Sequence, residues 1–297
     1  MSKSKIVACV VTYNRKEKLL NCIRCLKDQS YNAFDILIID NASTDGTKEA
    51  IQSYIDDHTV IYKNTGANLG GAGGFNYAIK KSANDYDYIW IMDDDTYPKR
   101  EALQAFVDAI PEVNNEFGYL SSIAEWTDGK ACLMNKQAVA SDIYENLRSL
   151  EKGIIPIETA SFVSLFIKSD MVKKEGLPIK EFFLWGDDTE YTTRLRKYGG
   201  YLVLNSVVVH AMSANDGVDI IYNDISRIGR YALFVRNRIY IAHLHGTRAD
   251  RIRAYISPFK QTFRVLTKAK DHKRERIEIL MDGLKQGLKF HPEIERL

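Results

Sequence analysis

The chain has 297 residues, 45% of them hydrophobic and 27% charged, with a net charge of +2. That balance excludes a disordered chain and fits one large domain, or one domain with an appendage. No run of 18 apolar residues and no charged-then-apolar leader is present, so a cytosolic protein is expected. Charge is spread unevenly. Residues 215–297 carry 17 basic and 10 acidic side chains, net +7, and the rest carries 24 and 29, net −5. A basic tail behind an acidic front points to an anionic partner for the tail. Seventeen tyrosines and twelve phenylalanines supply rings for core packing or for a groove.

Residues 5–12 (KIVACVVT) form a buried-strand pattern. Residues 15–29 follow with helical spacing at Leu19, Leu20, Ile23 and Leu26. Cys22 and Cys25 lie inside that helix without a second Cys/His pair at ligand spacing. They and Cys9 and Cys132 read as thiols of a reducing compartment. Residues 35–40 are a second strand and 44–54 a helix, with Ile51 and Tyr54 facing in and Ser43 or Thr44 as cap. A short third strand spans 60–63. A glycine loop then runs from Asn68 to Gly74, before a helix through Phe75, Ala78 and Ile79. Residues 88–92 are the fourth strand. This βαβαβαβ alternation predicts a three-layer α/β/α fold with a mostly parallel, Rossmann-like sheet.

The second half is more mixed. Strands are expected at 118–124 and 161–168, a helix at 169–175, another at 188–198, and a strand at 201–209 that ends at His210. Residues 127–158 read as irregular loop with a polar helix. From residue 223 the pattern is helical. The division follows: a catalytic domain over 1–214 and a basic helical region over 215–297.

The chemistry concentrates at strand ends, where open α/β sheets collect ligands. Asp93-Asp94-Asp95 follows an apolar strand, and three adjacent carboxylates repel one another unless a cation offsets them. Oxygen ligands favour Mg²⁺ or Mn²⁺ over Zn²⁺, and Pro98 is expected to start the next helix. His210 ends its own strand on the same edge and is a candidate imidazole ligand. Asp40 ends the second strand, where a carboxylate can accept from a base N–H or a ribose hydroxyl. Thr12, Asn14 and Arg15 sit where the first strand meets its helix and suit a nucleotide phosphate. The loop from Asn68 to Gly74 holds glycines at 70, 71, 73 and 74, which permit close backbone approach to a ligand. It is neither a Walker loop nor a dinucleotide fingerprint. Trp185 offers a flat face to a sugar ring. Asp187 and Asp188 supply a general base and a neighbour that positions it or binds substrate.

Taken together and in this order, these residues resemble the inverting family-2 glycosyltransferases of GT-A fold. The resemblance covers roughly residues 5–212. The stretch Asn68–Phe75 with Trp185–Asp188 is most similar to the galactofuranosyltransferase-like branch. Rhamnosyltransferases are the near alternative. Beyond residue 215, Tyr231 with Arg236 and Asn237 resembles the family's helical tail. The resemblance implies nucleotide-sugar contacts at Thr12, Asn14, Arg15, Asp40, Asn68, Gly70, Gly71 and Asp94. It implies metal ligation by Asp93, Asp95 and His210, acceptor contacts at Trp185 and Asp187, and Asp188 as the base. Gly186 departs from relatives that carry a larger side chain there.

The implied reaction moves galactofuranose from UDP-galactofuranose, with Mn²⁺ or Mg²⁺, to a glycan or lipid-linked glycan in cell-surface polysaccharide synthesis. A dTDP-rhamnose-dependent transferase and a non-catalytic nucleotide-sugar-binding module are the alternatives. A nucleotidyltransferase would need a basic glycine-rich turn after the first strand, which is absent. No nucleic-acid-binding motif is present. Lys260, Arg264, Lys268, Lys270, Lys273, Arg274 and Arg276 lie among Phe259, Phe263, Val265 and Leu266, a composition that suits an interfacial helix at the inner face of a membrane.

Overall fold

The computed structural model describes residues 4–141, 143–144 and 147–297. The first half alternates as expected: β1 (Ile6–Thr12), α1 (Lys16–Lys27), β2 (Phe34–Asp40), α2 (Thr47–Ala50), α3 (Gln52–Asp56), β3 (Ile61–Asn64), α4 (Gly70–Ser82) and β4 (Tyr88–Asp93). β5 (Thr96–Pro98), α5 (Ala102–Glu112) and β6 (Tyr119–Glu125) follow. The middle holds β7 (Ala138–Val139), α6 (Leu147–Glu151), β8 (Ile154–Thr159) and β9 (Leu165–Lys168). α7 (Ser169–Glu175), α8 (Asp187–Leu195) and β10 (Gly200–His210) complete the sheet region. Then come α9 (Ile225–Ile228), α10 (Arg230–Leu244), α11 (Arg248–Lys268) and α12 (Lys273–Gly287).

The strands form one sheet in the order β3-β2-β1-β4-β9-β6-β10-β8-β7, with β5 added against β10. Pairing is parallel from β3 to β4 and antiparallel around β9. Period-two alternation assigns the core. In β1, Ile6, Ala8 and Val10 face one layer, with Leu19, Ile23 and Phe106; Val7, Cys9 and Val11 face the other, with Phe75, Ile79 and Tyr191. β4 repeats this, with Trp90 and Met92 on the first face and Ile89 and Ile91 on the second. Each fully buried aliphatic or aromatic side chain contributes about 1.5–3 kcal/mol. A third cluster joins α10, α11 and α12 through Val235, Ile239, Val265 and Leu280 and takes in Trp185. Among the described residues no helix is long and apolar enough to cross a membrane.

Several expectations need correction. The helix expected over 44–54 is two short helices, with Gly46 at the first N-terminus and no cap from Ser43 or Thr44. Ser43 instead accepts from the Asn14 amide. The glycine segment is not a loop: Gly70 to Gly74 are the first turns of α4. A side-chain carbon at Gly70 would lie 2.2 Å from the Phe183 carbonyl oxygen, and one at Gly74 would lie 2.5 Å from Val11. These glycines let α4 pack closely. Pro98 closes β5, and the next helix begins at Ala102. The strand expected over 161–168 starts only at Leu165. Residues 127–158 contain the expected polar helix, α6, but also β7 and part of β8, and 142, 145 and 146 lie outside the described residues.

Candidate active site

The sheet's alternation continues past the end of β4 and sorts the three aspartates. Asp94 shares the face of Thr12 and accepts from its hydroxyl at 2.8 Å. Arg15 Nη1 donates to Asp94 Oδ1 at 3.2 Å and to Asp95 Oδ2 at 3.0 Å. Lys18 Nζ adds a contact to Asp95 at 2.9 Å and bonds the Ala211 carbonyl. The antiparallel β5–β10 register pairs His210 with Thr96, and this sets the imidazole beside Asp95. His210 Nε2 lies 3.3 Å from Asp95 Oδ1. Asp93, Asp95 and His210 each offer a donor atom, all within 4.8 Å of one another. Asp94 is outside that group.

The charges explain the electrostatics. Burial and the adjacent Asp95 push the Asp93 carboxyl up to about 7, against the pull of His210. Burial also raises Asp94 to about 6, although Arg15 opposes it. Asp95 is buried too, but its hydrogen bond to His210 and the charges of His210 and Arg15 hold it well below the usual carboxylate range. Burial disfavours a charged His210, yet its bonds to Asp95 and Cys132 outweigh this and lift it to about 9. Among the described residues no hydrogen bond reaches the Asp93 carboxylate. An acidic set with hard oxygen donors and one imidazole fits a divalent cation.

A residue of the 127–158 stretch supports this set. Buried Asn135 faces His210 Nδ1 through its amide oxygen at 2.8 Å, and its amide nitrogen donates to Ser161. The oxygen can only accept, so Nδ1 carries the proton and Nε2 is left toward the acidic set. Nothing in the sequence marks Asn135, because the pairing spans 75 residues. Lys18 was likewise missed; a lysine one helical turn after Arg15 is the only sequence signal.

Asp187 and Asp188 open α8, across the cleft from the metal set. Burial pushes both carboxyls up; the charge of Asp188 adds to the rise at Asp187, and the Thr189 amide and hydroxyl moderate the rise at Asp188. The turn before them is strained. Phe183 has φ 62° and ψ −52°, and the Leu184 amide donates to the Phe182 carbonyl, a γ-turn. Trp185 and Gly186 also have positive φ. The C-terminal region holds this turn. Asn237 Nδ2 donates to the carbonyls of Phe182, Leu184 and Trp185, and Arg236 to those of Glu181 and Phe182. The Trp185 ring packs edge-on against Tyr231 and Phe234. Beneath α8, fully buried Glu190 is gripped by Arg194 and reached by His245 at 3.0 Å.

A cleft of about 800 Å³ joins the two acidic sets. Arg15, Gly71, Asp93, Asp95, Trp185, Asp187, Asp188 and His210 line it. The other expected contacts sit beside it with their polar atoms engaged. Asp40 accepts from the Ser43 amide and the Tyr62 hydroxyl. Asn14 Oδ1 accepts from the Thr44 amide, and Asn68 Oδ1 from the Gly70 amide. Gly70 faces Phe183.

Residues 7–152 match the family described as Glycosyl transferase family 2. The chain carries a family-2 glycosyltransferase domain. It is 33% identical to the abequosyltransferase RfbV of Salmonella typhimurium, over 35% of this chain and 33% of that one. It is 24% identical to the glycosyltransferase AglE of Haloferax volcanii, over 64% of this chain and 60% of that one. The matches thus span a third to three fifths of these relatives' length. The mannosyltransferase PcManGT of Pyrobaculum calidifontis, solved with GDP-Man and Mn²⁺, superposes with a TM-score of 0.63, 15% identity, 96% coverage of this chain and 87% of its own. The fold is GT-A, a mixed α/β architecture with a C-terminal helical region.

Proposed function

We propose that the chain transfers a sugar from a nucleoside-diphosphate donor to a glycan hydroxyl, with inversion at the anomeric carbon. The observation that carries the reading is the cleft itself: a cation-ready set, Asp93, Asp95 and His210, and an acid-base pair, Asp187 and Asp188, line one cavity. The family match and the GDP-Man and Mn²⁺ complex of PcManGT support it.

Asp93, Asp95 and His210 would hold Mn²⁺ or Mg²⁺. A bound divalent cation supplies Lewis-acid stabilisation of the departing diphosphate. The chain's own residues do the rest. Arg15 and Lys18 add fixed positive charge beside the same carboxylates. Trp185 offers a ring face to the sugars. Asp188 takes the proton from the acceptor hydroxyl as its oxygen attacks the anomeric carbon and the bond to the diphosphate breaks. Burial favours the protonated carboxyl, so Asp188 is a better base than an exposed aspartate. Galactofuranose from UDP-galactofuranose is the donor favoured by the Asn68–Phe75 and Trp185–Asp188 sequences. A reaction in cell-surface polysaccharide synthesis is supported by the similarity to the putative teichuronic acid biosynthesis glycosyltransferase TuaG of Bacillus subtilis.

The test is a thermal-shift panel with Mn²⁺ and UDP, dTDP or GDP, followed by nucleotide release from the matching sugar donor. A ligand at 100 times its Kd adds about 2.7 kcal/mol, a clear shift. A UDP-selective, Mn²⁺-dependent shift supports the UDP-sugar reading, and a dTDP-selective shift moves it to rhamnosyl transfer. No shift with any nucleotide overturns it.

A further inference from the structure

α11 has two unlike faces. Ala254, Pro258 and Val265 point inward. Ile252, Ile256, Phe259, Phe263 and Leu266 point outward and are 44–68% exposed. Their spacing of four, three, four and three residues makes one continuous apolar stripe. Five large side chains in a row are more than the scattered exposed apolar residues of an ordinary surface.

The flanks select the occupant. Such spacing also suits a helix–helix seam between two copies, so the positions that would face across the seam decide. These are Arg253, Tyr255, Lys260, Thr262 and Thr267, with no carboxylate among them. Two copies would bring the Lys260 charges together with no carboxylate at these positions, while Arg253 is already paired with Asp250 on its own helix. The whole helix has six Arg/Lys and one acidic residue, Asp250. Exposed Lys268, Lys270 and Lys273 continue the positive edge into α12, where Arg274 is paired with Glu278. Not every expected cation contributes: Arg264 pairs with Asp219, and buried Arg276 bonds the Ile220 and Asn223 carbonyls. An apolar stripe edged by cations complements an anionic bilayer, with rings at the acyl boundary and cations among the phosphates.

The same helix reaches the site, since Asp250, Arg253 and Ala254 line the cleft. We propose that the outer face of α11, from Ile252 to Leu266, docks on an anionic phospholipid surface and sets the cleft mouth at headgroup level. The docking surface stands on exposure and charge. Its corollary, that the acceptor is carried by a lipid, rests on the glycosyltransferase reading.

The test is flotation of the full chain with vesicles of phosphatidylcholine alone or mixed with phosphatidylglycerol. The expected result is binding to the anionic vesicles only, weakened by salt. The double variant Phe259→Glu/Phe263→Glu should lower that binding by at least about tenfold. Both positions are exposed, so its circular-dichroism melt and nucleotide-induced shift should match the parent. Lys260→Glu should weaken binding several-fold by charge alone. Binding that is absent, or unchanged in the double variant, overturns the proposal. So does a dimer in sedimentation velocity that the double variant dissolves, which would give the stripe to a second copy. None of these readouts depends on transfer, so losing sugar transfer alone leaves the docking surface standing.

Discussion

Asp93–Asp95 and Asp187–Asp188 are both runs of adjacent carboxylates on one cleft, yet their neighbours differ. The first run is met by Arg15, Lys18 and His210, and Asp95 is held ionised as a result. Among the described residues no lysine, arginine or histidine pairs with the second run, and both of its carboxyls are pushed up. Composition is the same, but the charge around it differs. Asp93 and Asp94 are raised as well, so the difference lies in Asp95. On the proposed reading it suits the first run to a cation and the second to a proton.

The largest effect should come from the proton side. Asp188→Asn keeps the shape and removes the base, so transfer should fall by about 10²–10⁴-fold while the Mn²⁺ and nucleotide thermal shifts persist. Full transfer in that variant would break the contrast. Next is the support of the cation side. Asn135→Ala frees His210 Nδ1 and should weaken Mn²⁺ binding by about 10–100-fold, read by calorimetry without substrate. An unchanged affinity would show that the ring is fixed by other means.

Acidity sharpens the contrast further. In the metal-free site, Asp93 near 7 and His210 near 9 both carry protons at mildly acidic pH, and a cation must displace them. Mn²⁺ affinity should therefore rise with pH through this range, by about tenfold per unit for each proton displaced. A flat profile would mean that neither group titrates on binding. The smallest effect is expected at a third carboxylate, Asp40, which is met by neutral donors. Tyr62→Phe removes one of them and should cost about 0.5–1.5 kcal/mol in chemical denaturation.

The sheet was legible because its signal is local. Apolar runs of β-branched residues announce β1, β2 and β4, and the carboxylates at their ends stand out by charge density alone. The glycine segment differs from the expected loop because one residue type serves two physical ends, and Gly71 still lines the cleft. Gly70 and Gly74 lie in α4 rather than in a loop and let that helix approach Phe183 and Val11. In the 127–158 stretch the expected polar helix is present as α6, whereas two-residue β7 is shorter than any periodicity can reveal. The support of His210 by Asn135 and of the Phe183 turn by Asn237 depends on pairings across 75 and about 50 residues, which no window along the chain contains.

The three carbonyl bonds from Asn237 give the last third of the chain a part in the acid–base end of the site. A cut at residue 214 would leave the metal set whole but strip the Phe183–Trp185 turn of its clamp and Trp185 of its aromatic neighbours. On the proposed reading the fragment would keep a place for the donor and lose the wall against which an acceptor is turned, so affinity for nucleotide would be a poor guide to whether the enzyme is intact.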